Sequence, residues 1–575
     1  MASNALDRRL TQLEACRYRF GRNEASSIVK SLNRLDAARF ADPASLIRFH
    51  EALLFLRAFP QAPAVVRITG RILNSFHKKV EVLRKSGANM DDFEPIEVSG
   101  IAGTQMEDTL SFDVARWLMK RIPNQIEIAW EDYEPGRELG TIGPRFMPLL
   151  EDDAYVEADT PWRRWLETAS GKKGSDPVWL VERVADLPLS PIQKAELYES
   201  LRVPLRWNLE NSVISRTRNW KPVPNVFYHS EPLISRSQVS LAGELARRPP
   251  QLTQLSRKQG DEIMDLIREV MLVRYRELYG TTLGDPASVV RFEMRADLGR
   301  HEAGRGVSIY LWNLPPDRRL PLRAYVAGLT LKNGVPINYI EAIGLCEWME
   351  VGFNTFYTFR GGEAGWIYAQ VLRSLCHLMG TTCVSVYPYQ LGHQNEEAIE
   401  SGAFWFYRKL GFRPGRADLL RLAEREEARI AADPKYRTPA RTLRRLASGH
   451  VFYELPGSEV GAWDSFSTRN LGLRVNRRMA REFQGDSGRI RTESVRSVAR
   501  ILDVDPSSWA PSERASFENF ALVLALVPGL RSWQREEKEA LVRIIRSKSK
   551  ADEMIYLHLT QRHERLREAL LKLGS

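Results

Sequence analysis

Residues 358–366 read Thr358-Phe359-Arg360-Gly361-Gly362-Glu363-Ala364-Gly365-Trp366, and the rest of the chain is organised around them. Directly after them Ile367, Val371, Leu372, Leu375 and Leu378 recur at helical spacing. Next comes a short β-branched run, 382–387, and then the helical stretch 401–412, which holds Phe406-Tyr407-Arg408-Lys409-Leu410-Gly411-Phe412. A strand is expected before the turn, so the order is strand, Gly-rich turn, helix, strand, helix. A Gly-rich turn that opens a helix presents free backbone N–H groups at the positive end of the helix dipole, a setting that suits a phosphate.

Upstream the pattern changes to strands. Runs 288–294, 307–312, 324–331 and 335–340 are β-branched and aromatic. The last two flank Asn333-Gly334, a strong short hairpin signal.

These residues resemble the core of the GNAT superfamily, the acyl-CoA-dependent N-acetyltransferases, over about residues 285–456. The family has an Arg/Gln-x-x-Gly-x-Gly/Ala turn that holds the CoA pyrophosphate. Arg360 and Gly365 match it, whereas Glu363 stands where the family prefers Gly. The stretch 406–412 matches the family's Tyr-x-x-Leu-Gly-Phe helix terminus. A hairpin feeding strand, turn and helix is also the order a GNAT fold needs. The resemblance implies an α+β fold: a GNAT-like mixed, mostly antiparallel sheet with helices on both faces. It implies acetyl-CoA or another acyl-CoA as cofactor, held by Arg360, Gly361, Gly362, Ala364 and Gly365. An acid beside a pyrophosphate repels it, so Glu363→Gly is expected to tighten CoA binding.

Acyl transfer from a thioester to an amine needs a neutral amine, a polarised carbonyl and a protonated leaving thiolate. Glu350 and Glu347 are read on the strand before the turn, where the family often has its base. Three residues apart on a regular strand they face opposite sides, so only one reaches the site. Glu350, beside Val351 and Phe353, is favoured. Tyr407 is the family-matched donor to the thiolate. His377 and His393 are further candidate bases. No His, Cys or carboxylate group has metal-ligand spacing, and neither a Walker A motif nor a Gly-x-Ser-x-Gly elbow occurs.

The chain of 575 residues exceeds one hydrophobic core. Four parts are expected: a helical region 1–90, a mixed, mainly helical domain 91–250, the GNAT-like domain 251–456 and a helical region 457–575. Arg247-Arg248-Pro249-Pro250 is the best candidate linker. In the outer parts, Ile68 to Leu83 reads as one helix and Asp552 to Leu573 as one amphipathic segment. With 83 Lys+Arg against 72 Asp+Glu the net charge is +11, which favours anionic partners. Arg437, Arg441, Arg444 and Arg445 fall within nine residues and offer an RNA or tRNA contact. The four cysteines form no CxxC pair and read as buried thiols of a reducing compartment. The first residues lack an apolar signal core, and no apolar run is long enough to span a membrane, so a cytoplasmic location is expected.

Three functions fit this reading. The first is an acyl-CoA-dependent N-acyltransferase with a small-molecule or protein amine acceptor. The second is a non-catalytic binding protein on a degenerate GNAT fold. The third is a GNAT-fold transferase that draws on aminoacyl-tRNA.

Overall fold

In the computed structural model, which describes residues 2–133, 137–147, 162–171, 176–209, 214–276, 283–294 and 304–575, five helices open the chain: Ala2–Cys16, Arg22–Asp36, Pro43–Ala58, Pro63–Asn74 and Phe76–Lys85. The third starts as its sequence directs: the Asp42 carboxylate accepts from the Ser45 N–H, with Pro43 at the first helical position. The helix expected over Ile68 to Leu83 is two helices. Ser75 Oγ donates to the carbonyls of Arg71 and Ile72, and its backbone leaves helical geometry there.

Two units follow from the chain's contacts: residues 1–232, 262–282 and 333–336 form one, and 233–261, 283–332 and 337–575 the other. This differs from four successive parts. The Pro-rich run 247–250 lies inside the second unit, and residues 457–575 belong to the same unit as the large sheet. The first unit holds, besides its helices, a three-stranded sheet of β1 (Gln105–Thr109), β2 (Ile126–Ile128) and β3 (Pro204–Asn208) in the order β1-β3-β2. Its core gathers Leu118, Leu166, Val184, Leu205 and Trp207, each at most 1% exposed.

The second unit is built on a nine-stranded sheet. Its strands are β4 (Gln251–Gln254), β5 (Val290–Glu293), β6 (Val307–Asn313), β7 (Ala324–Lys332), β8 (Val335–Leu345), β9 (Trp348–Thr355), β10 (Cys383–Val386), β11 (Arg413–Pro414) and β12 (Val451–Glu454). The order is β11-β12-β10-β9-β8-β7-β6-β5-β4. The fold is therefore α+β with a mixed sheet. β9 and β10 run parallel, and each has an antiparallel neighbour on its other side. Asn333 and Gly334, at φ 50° and 81°, make the left-handed turn between β7 and β8.

Alternation sorts β8 and β9 into two faces. Gly344 of β8 faces the helices that carry Met379 and Leu557; a Cβ there would stand 2.7 Å from Met379 Cε and 3.1 Å from Leu557 Cδ2. On the same side the Phe353 ring of β9 meets Tyr368 of helix Ala364–Met379 at 4.8 Å. The other face carries Trp348, whose indole N–H donates to Ser385 Oγ and whose ring stacks on Trp463 at 5.2 Å. The last amphipathic stretch is two helices, Glu553–Gln561 and Glu564–Gly574. His563 Nδ1 accepts from the Leu566 N–H and so caps the second.

Candidate functional site

β9 and β10 part company at Glu350. Their parallel register covers Trp348–Glu350 against Cys383–Ser385. β10 then ends at Val386, because Pro388 opens a short helix and has no N–H to give a ladder. β9 continues to Thr355 with β8 alone at its side. Among the described residues, the β10-facing edge of Val351–Thr355 pairs with no strand. From Thr355 the chain passes through the turn Tyr357–Phe359 into the Gly-rich turn.

Glu350 stands at the fork. Its Oε2 lies 3.1 Å from His450 Nε2, and its Oε1 lies 4.0 Å from an Arg323 nitrogen. The two side chains of the His450–Glu350 pair are 33% and 18% exposed, so both keep a solvent-facing surface. His450 immediately precedes β12, and its ring meets the edge of Tyr387 at 5.3 Å. Burial lowers the Arg323 pKa, against the pull of Glu350. Gly352, one step along the same face, is half-buried; a Cβ there would make ordinary contacts with Gln390 Nε2 at 3.8 Å and the Glu341 carbonyl oxygen at 3.9 Å. Farther along that face Glu341 accepts from the hydroxyls of Tyr325 and Tyr339.

Glu347 is not on the strand. It occupies the β8–β9 turn with Cys346, whose φ is 51°. Its Oε1 accepts from the Trp463 indole at 2.8 Å and from Arg567 Nε at 2.6 Å. That is the opposite end of β9 from the gap, so the pairing of Glu347 with Glu350 as alternative bases on one strand is corrected. The absence of Gly or Asn hid this turn from the sequence.

The turn itself opens helix Ala364–Met379. Arg360 and Gly361 are exposed, Gly362 and Ala364 half-buried and Gly365 buried. Arg360 pairs with Glu397 at 2.6 Å and lies 5.4 Å from the Tyr357 ring centre. Glu363 does not face outward as an acid beside a phosphate would. It is wholly buried and bound by Arg305, with one contact at 3.1 Å, by Lys332 at 3.4 Å and by the Ile234 N–H at 3.1 Å. Burial alone would raise its pKa, but Lys332 and Arg305 more than offset that and hold it below the usual carboxylate range. The premise of the Glu363→Gly expectation, an acid facing the phosphates, does not hold here, because the carboxylate is buried against Arg305 and Lys332.

Gly365 has a second reason to be glycine. A Cβ there would lie 3.3 Å from Arg236 Cα, so the segment around Arg236 packs against the turn. Burial lowers the pKa of Arg236. Burial also lowers that of Lys409, helped by repulsion from Arg236 and Arg437. These three cations share one neighbourhood, and only Arg437 belonged to the run singled out in the sequence. Of that run, Arg444 pairs with Glu396 at 2.7 Å, Arg437 donates to the carbonyls of Pro434 and Tyr436, and Arg441 and Arg445 are exposed.

Tyr407 lies among Tyr368, Phe406 and Phe412, with ring centres 5.2–5.8 Å away, and is 4% exposed. Burial pushes its pKa up, so the phenol stays protonated. Its neighbour Tyr368 touches Phe353, which puts Tyr407 on the Phe353 side of β9 and Glu350 on the other. His377 and His393 are exposed, far along the helix and in the loop after β10 respectively. The residues the sequence reading missed are His450, Arg323, Arg305, Lys332, Arg236 and Lys409. Only His450 had a local signal, its position at the head of the closing strand.

No family model, curated protein or solved structure matches this chain. Among the described residues no group of three or more His, Cys, Asp or Glu side chains is arranged to hold a metal, and no helix is long and apolar enough to cross a membrane.

Proposed function

We propose that the chain is an acyl-CoA-dependent N-acyltransferase whose donor arm lies in the gap between β9 and β10. The observation that carries the reading is the fork: parallel pairing stops at Glu350 while β9 runs on to the Gly-rich turn. An extended thioester arm would lie along the edge of β9 beyond Glu350, which pairs with no strand among the described residues, and its phosphates meet the helix N-terminus at 361–365. Arg360, Arg236 and Lys409 supply positive charge there.

An arm threaded through the gap exposes its thioester to both faces. On one face, Glu350 with His450 takes the proton from the attacking amine. Nitrogen bonds to the thioester carbon and the C–S bond breaks. On the other face, Tyr407 gives its proton to the departing thiolate. A protonated phenol at neutral pH suits that role. The acceptor approaches across Gly352, which puts no side chain beside Glu350. Glu347 holds the β8–β9 turn and has no part in the transfer.

The test is thiol release from acetyl-CoA by the full chain in the presence of a panel of primary amines, read with a thiol-reactive dye. Amine-dependent release that disappears in Glu350→Gln supports the reading. Release that is independent of amine, or equal in wild type and Glu350→Gln, contradicts it.

A further inference from the structure

The sequence singled out arginines 437–445, yet a larger excess of positive charge lies elsewhere in the second unit. Helices Thr468–Phe483 and Ser487–Leu502 are joined by three residues. Residues 468–502 contain nine arginines, no lysine and three acids, a net charge of +6. More than half of the whole chain's excess of +11 sits in this pair of helices.

The three acids are already engaged. Glu482 pairs with Arg478 and Arg481, Glu493 pairs with Arg496, and Asp486 caps the second helix by accepting from the N–H groups of Gly488 and Arg489. Six exposed arginines remain outside these ion pairs: Arg474 donates to the Ser575 carbonyl, and Arg469, Arg477, Arg489, Arg491 and Arg500 make no ion pair among the described residues. The buried positions of the second helix, Ile490, Ser494, Val498 and Leu502, define its inner face. Arg489, Arg496 and Arg500, at spacings of seven and four, form one stripe away from it. On the first helix Arg474, Arg477 and Arg481 form a second stripe by the same spacing. A shallow groove of about 520 Å³ runs beside Arg491 and Arg496, floored by Gly488, Thr492 and Val495, with Glu518 at its edge.

We propose that this helix pair is a docking surface for the phosphate backbone of RNA. The side chains are all guanidinium, whose planar fork matches phosphate oxygens two at a time, whereas a merely soluble surface mixes Lys with acids. An anionic membrane is the weaker partner. A membrane-lying helix needs an apolar face, and among the large apolar side chains of these two helices only Leu473 is exposed. The surface is distinct from the acyl-transfer site and does not depend on that reading.

The test is fluorescence anisotropy of the full chain with a labelled 20-nucleotide single-stranded RNA, from 50 to 300 mM KCl, beside sedimentation with phosphatidylglycerol vesicles. Five neutralised phosphates predict a log–log salt slope of about −3.5 on a single strand. The triple variant Arg489→Gln/Arg491→Gln/Arg500→Gln should weaken RNA binding at least tenfold at 100 mM KCl and make the slope shallower by about 2. All three side chains are exposed, so an unchanged circular-dichroism melt is expected and checks that the fold is intact. The proposal is overturned by no RNA binding at 50 mM KCl, by a triple variant that binds with unchanged affinity and slope, or by sedimentation with vesicles in the absence of RNA binding. Tighter binding to duplex DNA of the same length would also overturn it.

Discussion

Glu363 and Glu350 stand at the two ends of the stretch that leads from the strand fork into the Gly-rich turn, and their surroundings differ in kind. Glu363 is wholly buried, with Arg305 and Lys332 on its oxygens and a backbone N–H besides. Glu350 keeps part of its surface and faces one imidazole across 3.1 Å. The first is a fixed anion with no access to a ligand. The second keeps exposed surface beside an imidazole, which is what the proposed role as base requires. The two acids thus divide into a buried strut and a part-exposed carboxylate, and the difference lies in what the rest of the chain brings to each.

The comparison breaks most easily at the strut. Glu363→Gln should destabilise the second unit by about 3–5 kcal/mol, the range for removing one partner of a buried ion pair. Thermal or urea unfolding reads it directly; a change under 1 kcal/mol would mean that the cations find water instead. The same carboxylate sets a pH dependence. Its folded pKa lies below the unfolded value of about 4.3. Its contribution is therefore complete above that value and is lost as pH falls through the lower folded pKa. Between pH 5 and 3 the wild type should lose stability more steeply than Glu363→Gln.

At the working end, Glu350→Gln should leave unfolding nearly unchanged and reduce amine-dependent turnover by roughly 10²-fold or more, the scale of a lost general base. Strong destabilisation with intact turnover would make Glu350 a second strut. Tyr407→Phe keeps the ring contacts and removes the proton, so turnover should fall by roughly 10²-fold with CoA affinity retained. A chemistry-limited rate equal to wild type would leave Tyr407 as packing alone. The smallest effect is at Arg360. Its pair with Glu397 is exposed on both sides, and such pairs are worth at most about 1 kcal/mol. Glu397→Gln should therefore tighten CoA binding by less than about fivefold, as seen in a calorimetric titration; weaker binding would show that Glu397 positions Arg360 for the ligand.

What the sequence disclosed was local. Asn333-Gly334 announces the left-handed hairpin turn, the apolar spacing after Gly365 announces the helix, and the β-branched runs announce the strands. What it concealed depended on distance. Arg305 and Lys332 lie 58 and 31 residues from Glu363 and so turn an apparent departure from a phosphate turn into a buried anchor. His450 reaches Glu350 from 100 residues away. The β8–β9 turn puts Cys346, not Gly or Asn, at positive φ, so nothing local showed that Glu347 lies off the strand. The fork itself was half legible: Pro388 marks the end of β10, but only the register shows that β9 outruns it.

Calorimetric titration of the full chain with acetyl-CoA decides whether an acyl-CoA lies beside β9 beyond Glu350. Saturable binding at one site per chain is expected, competed by free CoA and lost when Gly352 and Val351 are replaced together by tryptophan to fill the site, with the melting temperature monitored to confirm folding. Absence of saturable binding at millimolar acetyl-CoA, or binding that the folded double variant retains in full, would contradict it.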